Sequence, residues 1–138
     1  MRLLGVDFGF SRIGIAVAET EPRLSVPREA IAASGSLATD ARVLDALARR
    51  EEVDAMVLGL PVEPSGEEGR MAGVCRKLGA HLEAFGWHVE LVDESLTSIE
   101  ANAAMREHGL KAARRRKKVD GEAAVIILER YMDGQTTP

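Results

Sequence analysis

The chain opens on two apolar runs, Leu3-Leu4-Gly5-Val6 and Ile13-Gly14-Ile15-Ala16-Val17-Ala18, joined by Asp7-Phe8-Gly9-Phe10-Ser11-Arg12. Both runs are short and carry no helical repeat, which predicts strands buried on both faces. The glycine-bearing connection makes them antiparallel neighbours. Arg28 to Ala33, after Pro27, reads as a weaker third strand. Leu37, Ala41, Leu44, Leu47 and Ala48 then recur at helical spacing, with Ser36 or Thr39 as cap and Glu51 as the end. Ala55 to Leu58 predicts a fourth strand closed by Gly59-Leu60-Pro61, and Val62 to Gly69 an exposed loop. Met71, Val74, Cys75, Leu78, Leu82 and Phe85 form the stripe of a second helix that stops at Gly86. Val89 to Val92 is a fifth strand, broken by Asp93-Glu94. Ser95 or Thr97 caps a third helix reaching His108, and Asp120 stands just before a final helix, Ala123 to Leu128, apolar nearly all round.

Three opening strands followed by strands alternating with helices predict an α/β fold. Its sheet is mixed and five-stranded, antiparallel over the first three strands and parallel thereafter, with helices on both faces. The length of 138 residues suits one domain, expected over 1–133, with a disordered tail at 134–138. Apolar residues are 46% of the chain but aromatics only 4%, so aliphatic side chains do most of the packing. The single cysteine, Cys75, rules out an internal disulfide and a cysteine-built zinc site, and its place on an apolar helix face suits an inert core residue. No apolar run approaches the roughly 20 residues of a membrane span. Met1-Arg2-Leu3 leads straight into a strand rather than a signal peptide, so the expectation is a cytoplasmic protein with no membrane partner.

The net charge of −4 argues against a polyanion as partner until its distribution is considered. Six of the 18 basic residues, Lys111, Arg114, Arg115, Arg116, Lys117 and Lys118, fall within eight positions, leaving twelve basic against 22 acidic groups elsewhere. An acidic body with one basic segment suits a nucleic acid gripped at one place; a solvated, mobile loop is the plainer alternative.

Candidate chemistry follows from three carboxylates at breakpoints of the pattern. Asp7 closes the first strand, Glu94 follows the fifth, and Asp120 precedes the last helix. Strand interiors disfavour Asp, so Asp7 serves either a turn or a bound cation. In parallel sheets, ligands collect beyond the carboxyl ends of strands, which would set Asp7 and Glu94 on one rim, and Asp120 joins them if the last helix packs beside the first strand. Carboxylates crowded there repel one another unless divalent cations intervene, and Mg²⁺ or Mn²⁺ suits oxygen donors. Such a cluster points to two-metal hydrolysis of a phosphodiester. Asp93 is a fourth candidate, but adjacent strand residues face opposite ways, which separates it from Glu94. Arg12 is equally a phosphate ligand or a plain ion-pair partner, and Gly59, Gly66 and Gly69 either admit a nucleic-acid strand or simply turn the chain. Phe8 and Phe10 are the only aromatic platforms near the rim.

Four motifs in order cover almost the whole chain: Asp7-Phe8-Gly9 with Arg12-Ile13-Gly14; Gly59-Leu60-Pro61 with Gly66 and Gly69; Asp93-Glu94 with Thr97 and Glu100-Ala101; and Lys118-Val119-Asp120 with Ala123-Ala124 and Ile127-Leu128. Together they resemble the YqgF/RuvX family, known as pre-16S rRNA nucleases and as Holliday-junction-resolvase-like proteins. The resemblance implies a ribonuclease-H-like fold, Asp7, Glu94 and Asp120 as catalytic carboxylates, and 5′-end maturation of pre-16S ribosomal RNA. Phe10 and Ser11 stand where the family often has threonine and lysine, Glu63 where asparagine is common, and Ser95 in place of an arginine. These departures bear on substrate contacts rather than on the carboxylates. Precursor ribosomal RNA is the first expected partner and branched DNA the second, the latter requiring a homodimer to make paired cuts. A non-catalytic ribosome-assembly factor is a further alternative. So is an ATP-binding module, because Asp-x-Gly before a hairpin also opens the sugar-kinase fold, although that fold clamps its nucleotide between two domains.

Overall fold

The computed structural model of the protein describes residues 1–61, 68–93 and 112–135, with only the backbone described for 112–120 and 135. Five strands, β1 (Arg2–Phe8), β2 (Arg12–Thr20), β3 (Arg23–Ala32), β4 (Ala55–Leu60) and β5 (Val89–Asp93), form one sheet in the order β3-β2-β1-β4-β5. β1 pairs antiparallel with β2, and β2 with β3, while β1, β4 and β5 run parallel. The expected mixed sheet is therefore present, with its parallel carboxyl ends on one edge.

β3 runs from Arg23 to Ala32, beginning five residues ahead of Arg28, where the sequence pattern starts it, and so including Pro27. A proline normally ends a ladder, but β3 is an edge strand, and an edge tolerates one missing donor. Its register slips between Ile13 and Ile15, so Glu29 and Ala30 both stand opposite Gly14 in a β-bulge.

Three helices cover the sheet among the described residues: α1 (Leu37–Arg50), α2 (Arg70–Ala84) and α3 (Ala112–Gln135). Ser36 caps α1 by accepting a hydrogen bond from the Thr39 amide at 3.3 Å. Leu44, Ala48, Cys75, Leu78 and Leu82 of α1 and α2 pack with Leu4, Val6, Ile13, Ile15 and Leu58 on one face of the sheet. α3 covers the other face, where Ala124, Ile127, Leu128 and Met132 meet Leu3, Ala16, Ala18, Ala55 and Val57. The sheet positions under α3 are mostly small, and small residues let a helix backbone approach closely. A Cβ added at Gly5 would lie 2.6 Å from Leu128 Cγ and 2.9 Å from the Ala124 carbonyl oxygen. One added at Gly121 would lie 2.9 Å from Pro27 Cβ.

α3 starts eight residues before Asp120, so that carboxylate stands in the body of the helix and not at its amino end. Ala112-Ala113 and the following arginines and lysines are good helix formers, and an apolar stripe alone does not reveal a helix begun by charged residues. The segment 112–118, weighed above as a loop, is consequently helical backbone. At its other end α3 takes in Gly134 and Gln135, two residues of the expected tail. The expected helix from Ser95 or Thr97 to His108, most of the loop after Pro61 and residues 136–138 lie outside the described residues.

Charged pairs tie the lower edge of the sheet. Arg2 bonds Glu19 at 2.8 Å and Glu51 at 3.2 Å, and Arg28 bonds Glu51 at 3.1 Å. Hydrogen bonds from Arg28, then the attraction of both guanidinium groups, hold the Glu51 carboxyl below the usual carboxylate range against the opposing effect of burial. Arg23 of β3 pairs with Glu129 and Asp133 of α3.

Candidate active site

Asp7 occupies the penultimate position of β1, paired with Gly14 of β2. Strand alternation sets Leu3, Gly5 and Asp7 on the face covered by α3, while Leu4, Val6 and Phe8 join the opposite core. By the same alternation Gly14, Gly59 and Val92 share the Asp7 face. The Asp7 carboxylate is half-buried, and no hydrogen bond or ion pair to it is found among the described residues. Partly burying a carboxylate is costly unless a donor or a cation meets it.

The helix supplies the second position. Asp120 immediately precedes Gly121, which packs against Pro27 and the Arg28 carbonyl of β3, and lies one turn before Ala124, whose carbonyl crowds Gly5. Its backbone is thus held against the sheet by close helix–sheet approaches on either side of it. Glu94, the third expected carboxylate, lies outside the described residues, as do Gly66 and Lys111. The residue before it is fixed: Arg130 of α3 donates to the Asp93 carbonyl at 3.0 Å, joining the end of β5 to the helix. Val92 packs under α3, so Asp93 stands on the far side of the strand, away from Asp7. Among the described side chains no three His, Cys, Asp or Glu residues gather to hold an ion.

Beside Asp7 and Gly14, at the β3 bulge, a groove of about 530 Å³ is lined by Arg12, Arg28, Glu29, Ile31, Gly121 and Glu122 among others. Arg12 is exposed at the start of β2 and contributes the guanidinium of this wall. Gly59 lies in β4 at the same edge. Arg114, Arg115, Arg116, Lys117 and Lys118 have helical backbone in the two turns of α3 that lead to Asp120. The arrangement offers a carboxylate with free acceptor capacity, an adjacent groove walled by Arg12 and Arg28 together with Glu29 and Glu122, and a helix that carries basic residues toward it.

Gly5 and Gly121 are the positions that a search for chemistry passes over. Each is a lone glycine inside an otherwise regular element, and that is the signal for close backbone approach.

The described helices include none long and apolar enough to cross a membrane. A family model described as "RuvX: Holliday junction resolvase" matches residues 1–134. A protein of Anaeromyxobacter dehalogenans (strain 2CP-C) named "Putative pre-16S rRNA nuclease" is 41% identical over 134 residues, covering 96% of this chain and 97% of its own. Among solved structures, Thermus thermophilus RuvC in complex with a Holliday junction substrate has a TM-score of 0.60 at 18% identity, covering 99% of this chain and 97% of that one. The fowlpox virus Holliday junction resolvase has a TM-score of 0.57 at 14% identity, covering 97% and 99%. Those two likenesses establish the fold as that of the ribonuclease-H-like resolvases. The match along the whole sequence goes further: this chain belongs to the RuvX family.

Proposed function

We propose that this protein is an endonuclease that hydrolyses phosphodiester bonds in RNA, with precursor 16S ribosomal RNA as substrate and Asp7, Glu94 and Asp120 as its catalytic carboxylates. The observation that carries the reading is Asp7: a half-buried carboxylate without a donor among the described residues, at the carboxyl edge of the sheet and beside a groove to which Arg12 contributes a guanidinium. The relatives named as pre-16S rRNA nucleases supply the substrate class. A divalent ion fits this donor set, because Mg²⁺ and Mn²⁺ take carboxylate oxygens and complete their shells with water and phosphate. Held by Asp7, Glu94 and Asp120, such ions would lower the pKa of the attacking water and stabilise charge on the leaving oxygen.

The chain's own residues do the remaining work. Asp7 and Asp120 hold the acidic donors on a rigid strand and a rigid helix, with Gly5 and Gly121 setting the distance between those elements. Arg12 meets a phosphate in the groove, and Gly59 leaves room for the strand to pass. Arg114, Arg115, Arg116, Lys117 and Lys118, with Lys111, hold flanking phosphates without reading sequence.

A second reading, resolution of four-way DNA junctions by a homodimer, is supported by the family's description and by the resolvase fold. The two separate in one assay: labelled precursor ribosomal RNA and a four-way junction, each with Mg²⁺, Mn²⁺ or excess chelator. The proposal expects metal-dependent cleavage of the RNA in preference to the junction. Symmetric paired cuts in the junction, with the RNA intact, would overturn it in favour of the resolvase.

A further inference from the structure

A second, smaller cavity lies on the other side of β1 from the Asp7 face. Its volume is about 190 Å³, and Phe8, Phe10, Gly35, Leu37, Asp40 and Val74 line it. This is below the roughly 300 Å³ at which whole small ligands are usually held, a size that suits one ring system. Phe8 directly follows Asp7 in β1, so the cavity and the proposed reaction centre flank the same end of that strand on its two faces.

Two of its walls are unusual. Phe10 is 68% exposed, although it sits at the tip of the tight turn closed by the Gly9 amide on the Arg12 carbonyl at 3.0 Å. A large apolar ring held in water on a rigid turn is a ready stacking surface. Asp40 of α1, which lines the same cavity, is 3% exposed and is the only buried charged side chain among the described residues. Its Oδ1 accepts from the Ser34 amide at 3.0 Å, and no partner for Oδ2 is found among the described residues. A buried carboxylate oxygen without a donor is expensive. The negative charge also repels a phosphate, so the occupant that fits is a base rather than the backbone.

We propose that this pocket seats an unpaired guanine base of the nucleic-acid substrate, stacked on Phe10, with its Watson–Crick edge donating to Asp40. Guanine is the base that presents two adjacent donors, N1–H and the N2 amino group, to a carboxylate. Adenine and cytosine each set a ring acceptor beside their single amino donor, and that acceptor would face the carboxylate unfavourably. Single-stranded bases are commonly read in this way, by an aromatic face and an edge acceptor. The inference rests on the nucleic-acid reading above and deepens it: Asp7 and its groove handle phosphates, while Phe10 and Asp40 choose which unpaired nucleotide lies beside them.

The test is binding without hydrolysis. Fluorescence anisotropy in chelator is measured with short oligouridine strands carrying one central guanine, inosine or adenine. The expected order is guanine, then inosine, which lacks the N2 amino group, then adenine, with guanine about five- to a hundredfold tighter than adenine. Phe10→Ala, at an exposed site, should weaken the guanine strand about fivefold or more. Asp40→Asn keeps an oxygen for the Ser34 amide but presents a donor to the base, and should abolish the guanine preference. Equal binding of the three strands by the unaltered protein overturns the proposal, as does a guanine preference that survives both substitutions. Cleavage is read separately: activity without base preference refutes this pocket alone, and base preference without activity refutes the nuclease reading alone.

Discussion

Gly5→Ala tests whether the spacing between β1 and α3 is set by glycine. The added Cβ would lie 2.6 Å from Leu128 Cγ, 2.8 Å from Leu128 Cδ1 and 2.9 Å from the Ala124 carbonyl oxygen. The leucine can change rotamer, but it is fully buried, and the carbonyl belongs to a helix backbone that moves only as a unit. Overpacking of this kind costs about 1–3 kcal/mol. For a chain of this length that corresponds to a fall in Tm of roughly 3–10 °C. α3 must also lift by several tenths of an ångström where it carries Asp120 past the sheet. Cleavage at 25 °C should therefore drop by about tenfold or more while the protein remains folded, because catalytic geometry tolerates little displacement. Circular dichroism melts and initial cleavage rates on the same preparations suffice. An unchanged Tm in Gly5→Ala would refute the close-packing argument.

Other consequences are simpler to read. Arg12→Ala should weaken nucleic-acid binding about equally across sequences and reduce the slope of log affinity against log salt by about one, as expected of a single phosphate contact. Glu51 has its folded-state pKa lowered by Arg28 and Arg2, so its contribution is full above the unfolded carboxylate value near 4.5 and fades as pH falls through the lower folded value. Glu51→Gln should thus cost up to about 1 kcal/mol at pH 7 and almost nothing in strong acid, a convergence that melts across pH 2–7 would show. A Tm difference that persists undiminished at the acid end would contradict that assignment.

The strand positions along the chain and the apolar faces of α1 and α2 were legible because apolar spacing dictates them. Leu3-Leu4-Gly5-Val6 has no polar face and must be a central strand, whereas the stripe of Met71 to Phe85 has only one side to bury. The start of β3 was hidden by Pro27, whose local preference is overridden by its position at a sheet edge. The start of α3 was hidden because Arg114 to Lys118 favour a helix through propensity rather than amphipathic pattern. Within the site, Asp7 stood out as a charge in an apolar strand. Its relation to α3 did not, since that depends on which sheet face the helix covers, and Gly5 and Gly121 reveal it only once both elements are in place. Asp40 was hidden for a different reason: in sequence it is one more acidic residue in the first turn of a helix, and only packing buries it.

As proposed, the Asp7 carboxylate holds a divalent ion required for phosphodiester cleavage. The direct measurement sets Asp7→Asn beside the unaltered protein in Mn²⁺ titration calorimetry, cleavage of precursor ribosomal RNA and thermal melting. Asparagine keeps the size but removes the charge, and loss of the outer partner of a metal ligand alone costs about 10–100-fold. Loss of Asp7 itself should lower Mn²⁺ affinity and cleavage by about a hundredfold or more. Tm should stay level or rise, because a half-buried carboxylate without a donor among the described residues is no longer charged. Cleavage by Asp7→Asn at the original rate, or by the unaltered protein in excess chelator, would contradict the account.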